Sequence, residues 1–258
     1  MEFKNPPVIE AWTEFTLELP DETVAWDKNS AVDFINNCCH GFKPSDFLIQ
    51  QQVMIDAHSR SDPKLKITFE RIRAFDEGKE NCIQAGQKIL IFNQIRRTSW
   101  PGFSALRDRS LDTLCKFIDF RKLNKLGSVA LHYRDLVEIP FDQNNAIDPK
   151  NYFRIYPHCP ETIFEDMSYY SLRIVLNAIS AREKVLLEIQ TVPGNETNVG
   201  TGKFQFDWHI KTESKCDDMD TARCWLDNAH ADLEKTFKNL FTEKCLALFQ
   251  PEDKHDTV

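Results

Sequence analysis

Alternating apolar and polar residues predict β-strands along much of the chain. In the clearest segment, FQFDWHIK at Phe204–Lys211, every second residue is large and apolar, and the residues between them are polar or charged. The same alternation in VIEAWTEFTLEL, from Val8 to Leu19, predicts a strand with one solvated face. The remaining predicted strands cover Phe47–Asp56, Leu65–Phe75, Lys88–Ile95, Val129–Ile139, Tyr170–Ile179 and Lys184–Val192.

Apolar residues three and four positions apart predict two long helices. The first is FSALRDRSLDTLCKFI at Phe103–Ile118. The second has Asp220 as its predicted N-cap and an apolar stripe from Leu226 to Leu248, and its Trp225, His230 and Phe237 are expected to pack as a further stripe. A shorter helix is predicted at Ser30–Cys39, with Asn29 or Ser30 as its cap.

The predicted elements occur twice in the same order: a strand, a short helix, three strands and a long helix. In the second half a helical turn between Pro149 and Asp166 takes the place of the short helix. Antiparallel strands followed by a helix indicate α+β layers, with the sheet packed on the helices. We therefore expect an α+β fold of two similar halves, residues 1–127 and 128–258, in one compact unit. The loops Asp76–Gln87 and Val192–Gly202 are predicted to be equivalent.

The charge balance narrows the classes of partner. The chain has 32 Lys and Arg against 40 Asp and Glu, a net charge of -8, which disfavours unspecific binding to nucleic acids. No apolar run approaches the roughly 20 residues of a membrane span, and the N-terminal MEFKNPPVIE lacks the apolar core of a signal peptide. We expect a cytoplasmic protein without membrane contact, with its cysteines reduced.

One predicted strand, VALHYRDLVEIP at Val129–Pro140, places a carboxylate among apolar residues. Asp135 shares a face with Leu131, Tyr133 and Val137, where an ionised group is costly unless it is paired or hydrogen-bonded. We expect Arg134 and Asp135 to be structural. The expected partner of Asp135 is a nearby arginine or a backbone N–H at the junction of the two halves.

Polar residues on three predicted strands suggest a second kind of site. If these strands are neighbours, Glu138, Glu188, Asp207 and His209 converge, and such a set can hold Mg²⁺ or Mn²⁺ or act in acid–base catalysis. The alternative is a solvated sheet face, because alternation already places polar residues at half of the positions. We favour the solvated sheet face, and we therefore expect neither a bound metal nor a cofactor. Whether the protein is an enzyme stays open, and we lean towards a protein without catalytic activity.

Arginines in the first half of the chain suggest a nucleic-acid interface. The segments FERIRAF and NQIRRTSW supply Arg71, Arg73, Arg96 and Arg97 next to aromatic residues that can stack on bases. In an acidic protein, a sheet face with ion pairs is the favoured interpretation. No phosphate-binding glycine loop and no Gly-x-Ser-x-Gly motif accompanies them, so common ATPase and hydrolase classes are excluded.

Several stretches together carry a family resemblance. NPPVIEAWTEFTLEL, TSWPGF, VALHYRDLVEIP, NYFRIYPHCP and HADLEKTFKNLFTEKCLALF occur in this order between Asn5 and Phe249. They resemble a sporadically distributed family of prokaryotic proteins of similar length with no established biochemical activity. The family counterpart of Leu131–Pro140 usually reads LRYxNRIEIP. In this chain His132, Asp135 and Leu136 replace the family's Arg, Asn and Arg. If the family's two arginines bind an anion, this chain lacks both of those charges.

The resemblance implies no catalytic residues. The patchy distribution of such genes is similar to that of mobile or defence-related loci, which implies an accessory role in an antiviral system, including the CRISPR type. We therefore expect a non-enzymatic binding or assembly subunit that acts with a protein partner. The alternatives are a metal-dependent nuclease or phosphoesterase and a nucleic-acid sensor.

Overall fold

An antiparallel sheet of nine strands runs through the residues that the structure describes. The computed structural model describes residues 3–19, 26–54, 64–123, 125–142, 147–156, 171–192, 201–213, 215–216 and 218–250, with the backbone alone at 50–54 and 64–67. The strands are β1 (Val8–Leu17), β2 (Phe42–Met54), β3 (Lys64–Asp76), β4 (Asn81–Gly86), β5 (Ile89–Ile95), β6 (Leu126–Pro140), β7 (Ser171–Asn177), β8 (Lys184–Val192) and β9 (Thr201–Lys211). Their order across the sheet is β2-β3-β4-β5-β1-β6-β9-β8-β7.

The helices lie on one face of this sheet. They are α1 (Lys28–Cys38), α2 (Phe103–Arg121), α3 (Met219–Leu240) and the short α4 (Glu243–Ala247), with a 3₁₀ turn at Pro149–Asn151. Buried residues of the three longer helices form one cluster with every second residue of the strands, such as Phe15 and Leu131. The predicted α+β class is confirmed. No helix among the described residues is long and apolar enough to cross a membrane.

The helix starts differ from those predicted. Asp27, not Asn29 or Ser30, caps α1, and its side chain accepts a hydrogen bond from the backbone N–H of Ser30 at 2.8 Å. Asp218, not Asp220, caps α3 in the same way. In both cases the carboxylate reaches the N–H three residues ahead, which an N-cap side chain satisfies. The predicted caps therefore lie two or three residues too far along the chain.

Helix α2 starts without a side-chain cap. Gly102 precedes it with a φ of 92°, a left-handed conformation that favours glycine. This turn brings residues 98–104 back over the sheet, where they form one wall of the cavity described below.

The prediction of a loop at Asp76–Gln87 is wrong, because β4 lies within it. Ile83 and Ala85 of β4 are buried on the helix-bearing face, and β4 pairs with both β3 and β5. Four strands thus follow α1, where three were predicted. The other predicted loop, Val192–Gly202, lies mostly outside the described residues. The range 1–127 and the range 128–258 both contribute strands to the sheet, and β1 pairs with β6 between them.

Candidate functional site

The sheet face opposite the helices carries most of the polar residues that the sequence singles out. Strands β6, β9 and β8 are consecutive neighbours, as the convergence of Glu138, Glu188, Asp207 and His209 requires. In their register Glu188 lies opposite Asp207. The four residues therefore share one face, which none of the described helices covers.

Each of the three carboxylates on this face is paired with a basic side chain. The pairs, with their nitrogen–oxygen distances, are Arg134–Asp207 (2.7 Å), Lys203–Glu138 (2.9 Å) and Arg173–Glu188 (3.3 Å). Within the part of the chain that the structure describes, no group of three His, Cys, Asp or Glu side chains is placed to hold a metal ion. This geometry is that of an ion-paired sheet face, and it gives the proposed metal site no support.

Arg134 connects three strands on this face. Its Nε donates to Asp207 on β9, its Nη1 lies 3.6 Å from Glu10 on β1, and its guanidinium lies over the ring of Trp12 at 5.8 Å. The pairs are partly exposed, so each contributes little alone, and their connection across neighbouring strands adds to the sheet ladder.

A stack of rings crosses β1, β6 and β9 beside Arg134. The rings of Trp12 and His132 are 4.5 Å apart and nearly parallel, and those of His132 and His209 are 4.1 Å apart. Burial lowers the pKa of His132 from 6.5 to about 3, with further contributions from His209 and Lys211. Burial also lowers the pKa of His209. Both imidazoles are therefore neutral near pH 7 and act as packing rings.

Replacing His132 by phenylalanine is expected to make the protein less sensitive to acid. The folded protein keeps His132 neutral down to about pH 3, whereas the unfolded chain takes up a proton below about 6.5, so lowering the pH favours unfolding. Between about pH 7 and pH 5 the wild-type protein should lose about 1–2 kcal/mol of unfolding free energy that His132→Phe retains. Urea denaturation at both pH values measures this difference.

The exposed His40 supplies the matched control. His40→Phe should leave the acid dependence as it is in the wild-type protein. Equal acid dependence in the wild-type protein and His132→Phe would contradict the assignment of a buried neutral imidazole.

The four arginines proposed for nucleic-acid binding are not brought together. Arg73 donates two hydrogen bonds to Asp46, at 2.6 and 2.8 Å, on the face opposite the helices. Arg71 is on that face too, 3.7 Å from Glu70. Arg96 lies on the helix-bearing side, where it binds the carbonyl of Pro6, and Arg97 is exposed. A continuous basic strip along these residues is therefore not formed.

Asp135 is buried on the helix-bearing face, but its partner is not the one predicted. The indole Nε1 of Trp208 donates to Asp135 Oδ2 at 2.7 Å, whereas an arginine or a backbone N–H was expected. Trp208 lies on β9, the neighbour of β6, so the pairing of the two strands creates this contact. The second oxygen, Oδ1, has no hydrogen-bond partner, and only 2% of the residue is exposed.

A cavity of about 1070 Å³ lies over Asp135, between the sheet and the helices. Tyr133, Asp135 and Trp208 form its floor, and α3 contributes His230, Leu233 and Phe237. Residues 3–8 and 98–104 form the other walls. The N-terminal wall is held by hydrogen bonds to three parts of the fold: Arg96 to the Pro6 carbonyl, Leu136 N–H to the Pro7 carbonyl and Asn5 N–H to the Phe249 carbonyl.

The electrostatics of the cavity floor are dominated by burial. Burial raises the pKa of Asp135 from 3.8 to about 7, and the nearby charge of Asp207 raises it further. The hydrogen bond from Trp208 and the charge of Arg96 act in the opposite direction and lower this pKa. Near neutral pH this carboxyl is therefore about half protonated. An unsatisfied buried oxygen with a raised pKa is typical of functional sites, since a structural role alone is better served by a full set of partners.

Two other charged side chains at the cavity, Arg107 and Glu234, are paired within the protein. Arg107 Nη1 lies 2.6 Å from Asp227 Oδ1, and Glu234 is paired with Lys238. Of the described residues that line the cavity, Asp135 alone has a buried side-chain polar atom without a partner. This contrast singles out Asp135 Oδ1 as the atom to which a bound molecule would attach.

Tyr133 and His230 are functional candidates that sequence reasoning missed. Tyr133 Oη and His230 Nδ1 are 3.0 Å apart and form a hydrogen bond, and the imidazole stacks on Phe103 with ring centroids 4.0 Å apart. Burial lowers the pKa of His230 and raises that of Tyr133. The predicted packing role of His230 agrees with the stack on Phe103, but the helical pattern gave no sign of a tyrosine partner on a distant strand.

Comparisons with known proteins yield no matching family model and no matching curated protein. The fold and the cavity over Asp135 are therefore the basis on which a function is proposed.

Proposed function

We propose that this protein is a binding module without catalytic activity, which holds a basic side chain of a partner protein in the cavity over Asp135. The observation that carries the proposal is the buried Oδ1 of Asp135, which lacks a partner and belongs to a cavity-lining residue. A lysine or arginine side chain supplies both the missing donor and the compensating charge. The net charge of -8 attracts a basic partner over longer distances.

The walls suit the methylene stem of such a side chain. Trp100, Phe103 and Phe237 line the cavity above the floor. Aromatic rings bind aliphatic stems by burial and attract cations through their faces. Oδ1 is closed off from bulk water. A ligand cation therefore reaches it only after a wall side chain changes its rotamer, so the bound form is expected to differ locally from the free one.

A fluorescence titration with Nα-acetyl-arginine methylamide tests the proposal. Trp100 and Trp208 line the cavity, so binding should change the intrinsic fluorescence. A ligand of this size should bind with a dissociation constant on the order of 0.1–1 mM. Asp135→Asn keeps an acceptor for Trp208 but removes the charge, and it should weaken binding by about tenfold or more.

The pH dependence of this binding has a defined direction. The cation pairs with the ionised form of Asp135, so with a pKa of about 7 the affinity should rise by about tenfold between pH 6 and pH 8. The other titratable or charged groups around Asp135 include His230, Tyr133, Arg96 and Arg107: burial lowers the pKa of His230 and raises that of Tyr133, and arginines keep their charge in this range. Ionised Glu234, whose pKa is lowered, does not titrate there.

The neutral control is Nα-acetyl-citrulline methylamide, which has the shape of the arginine ligand without its charge. It should bind at least tenfold more weakly at pH 8. Equal affinity for the two ligands, or arginine binding that Asp135→Asn leaves unchanged, would contradict the proposal.

Two finer predictions from the sequence belong with this proposal. We infer that the chain consists of two similar halves, an idea supported by the adjacent strands β1 and β6, from which the sheet extends outward on either side. The accessory role in antiviral defence, and the family resemblance that suggested it, remain predictions, since the cavity over Asp135 does not bear on them.

A further inference from the structure

A second cavity, of about 350 Å³, adjoins the first one on the same face of the sheet. Its lining includes Asn81, Gln94, Ser99, Pro101, Ala105 and Arg109. Ser99 and Pro101 line the first cavity as well, so the two cavities are adjacent.

Gln94 is the residue of this second cavity whose polar atoms are unused. Only 1% of it is exposed, and neither its Nε2 nor its Oε1 has a hydrogen-bond partner. Its neighbour Asn81 differs in this respect: Asn81 Nδ2 donates to Asp76 at 2.6 Å, and Arg109 donates to Asn81 Oδ1 at 2.9 Å. Burying an amide whose nitrogen and oxygen both lack hydrogen-bond partners is costly. This indicates that a bound molecule supplies the missing partners of Gln94.

The sheet register relates Gln94 to the floor of the first cavity. Gln94 and Tyr133 are the two partners of Ala11, one on each side, so the three residues form a row across β5, β1 and β6. Asp135 is two residues beyond Tyr133 on the same face. At the usual strand spacing, Gln94 and Tyr133 are about 10 Å apart and Asp135 lies about 7 Å further along β6, so Gln94 and Asp135 are about 12 Å apart. A basic side chain together with its own peptide units, at about 3.5 Å per residue of extended chain, bridges such a distance.

We propose that Gln94 binds a main-chain amide of the same ligand whose basic side chain enters the cavity over Asp135. The inference rests on the proposed function and deepens it: the ligand is a peptide segment rather than a free amine. A peptide unit offers one N–H donor and one carbonyl acceptor, which match the two unused atoms of Gln94. A simple guanidinium or polyamine satisfies Asp135 alone.

The test compares two ligands that share a cation. Nα-acetyl-arginine methylamide has two peptide units, and n-butylguanidine has none. Gln94→Leu should weaken the first by about fivefold to twentyfold and change the affinity for the second by less than about twofold. Gln94→Met, which keeps an unbranched side chain of similar size, should behave in the same way and guards against a misfolded leucine variant.

The outcomes separate the inference from the proposed function. If n-butylguanidine binds in an Asp135-dependent way while Gln94→Leu and Gln94→Met leave the arginine peptide unaffected, the inference is overturned and the proposed function stands. Equal weakening of both ligands also overturns it, because Gln94 then acts on the cavity as a whole. If neither n-butylguanidine nor Nα-acetyl-arginine methylamide binds the wild-type protein at pH 8, the proposed function fails and the inference fails with it.

Discussion

Replacing Asp135 by asparagine is expected to raise the free energy of unfolding at about pH 8 by roughly 1–4 kcal/mol. The pKa of the carboxyl is raised by burial from 3.8 to about 7 in the folded protein. Between these two values the folded state binds more protons than the unfolded chain, so its stability falls as the pH rises. Asparagine removes this loss and keeps an oxygen for the indole of Trp208, which donates at 2.7 Å.

Urea denaturation of the wild-type protein and Asp135→Asn from about pH 4 to pH 8 measures the effect. The difference in unfolding free energy should be smallest near pH 4 and largest at pH 8. Asp46→Asn is the matched control, because Asp46 is paired with Arg73 at 2.6 Å, far from Asp135, and its replacement should not stabilise the protein. A destabilised Asp135→Asn variant at pH 8 would show that the carboxylate is structural.

The same substitution should abolish most of the binding of the arginine peptide. A gain in stability with a loss of binding is the pattern expected when a buried group is kept for function at a cost to the fold. A purely structural aspartate would lose stability instead, since its partners would be left unsatisfied.

Replacing Phe241 by alanine is expected to lower the free energy of unfolding by about 3–5 kcal/mol. Phe241 is completely buried where α3 ends. The rings around it, with their centroid distances, are Phe237 (4.5 Å), Phe206 (5.0 Å), Phe153 (5.7 Å) and Phe249 (5.9 Å). The alanine leaves a cavity that these rings, which come from separate parts of the fold, cannot fill by a simple shift.

Phe47→Ala on β2 is the matched control, because 39% of Phe47 is exposed and the ring of Phe69 is its neighbour at 5.9 Å. Its replacement should cost less than about 1.5 kcal/mol. Equal losses for the two variants, measured by urea denaturation at pH 7, would contradict the position of α3 and the 3₁₀ segment on the sheet.

Strands with one buried and one solvated face could be predicted from the sequence. Phe204–Lys211 lies within β9, and Lys184–Val192 coincides with β8. Their alternation is a local property that survives in the folded protein. Strand β4, NCIQAG, was missed because nearly all of its residues are buried on both faces, so alternation is absent, and because charged residues precede it.

The candidate site was predicted only in part. Asp135 was recognisable as a carboxylate in an apolar pattern, but its partner Trp208 is 73 residues further along the chain. The cavity also needs residues 3–8, 98–104 and the side of α3 that bears His230. Local periodicity assigns such residues to strands or helices, but it does not say which distant segments meet, and the unused atoms of Asp135 and Gln94 become visible only after that assembly.

The measurement that tests the central claim most directly is the titration of the Asp135 carboxyl carbon by NMR, with its signal assigned from the spectrum of Asp135→Asn. In the free protein we expect a midpoint near pH 7. With saturating Nα-acetyl-arginine methylamide the midpoint should fall by about one pH unit or more, because the cation favours the charged form. A midpoint near pH 4 in the free protein, unchanged by the arginine ligand, would contradict the assignment of this buried carboxylate as the binding group.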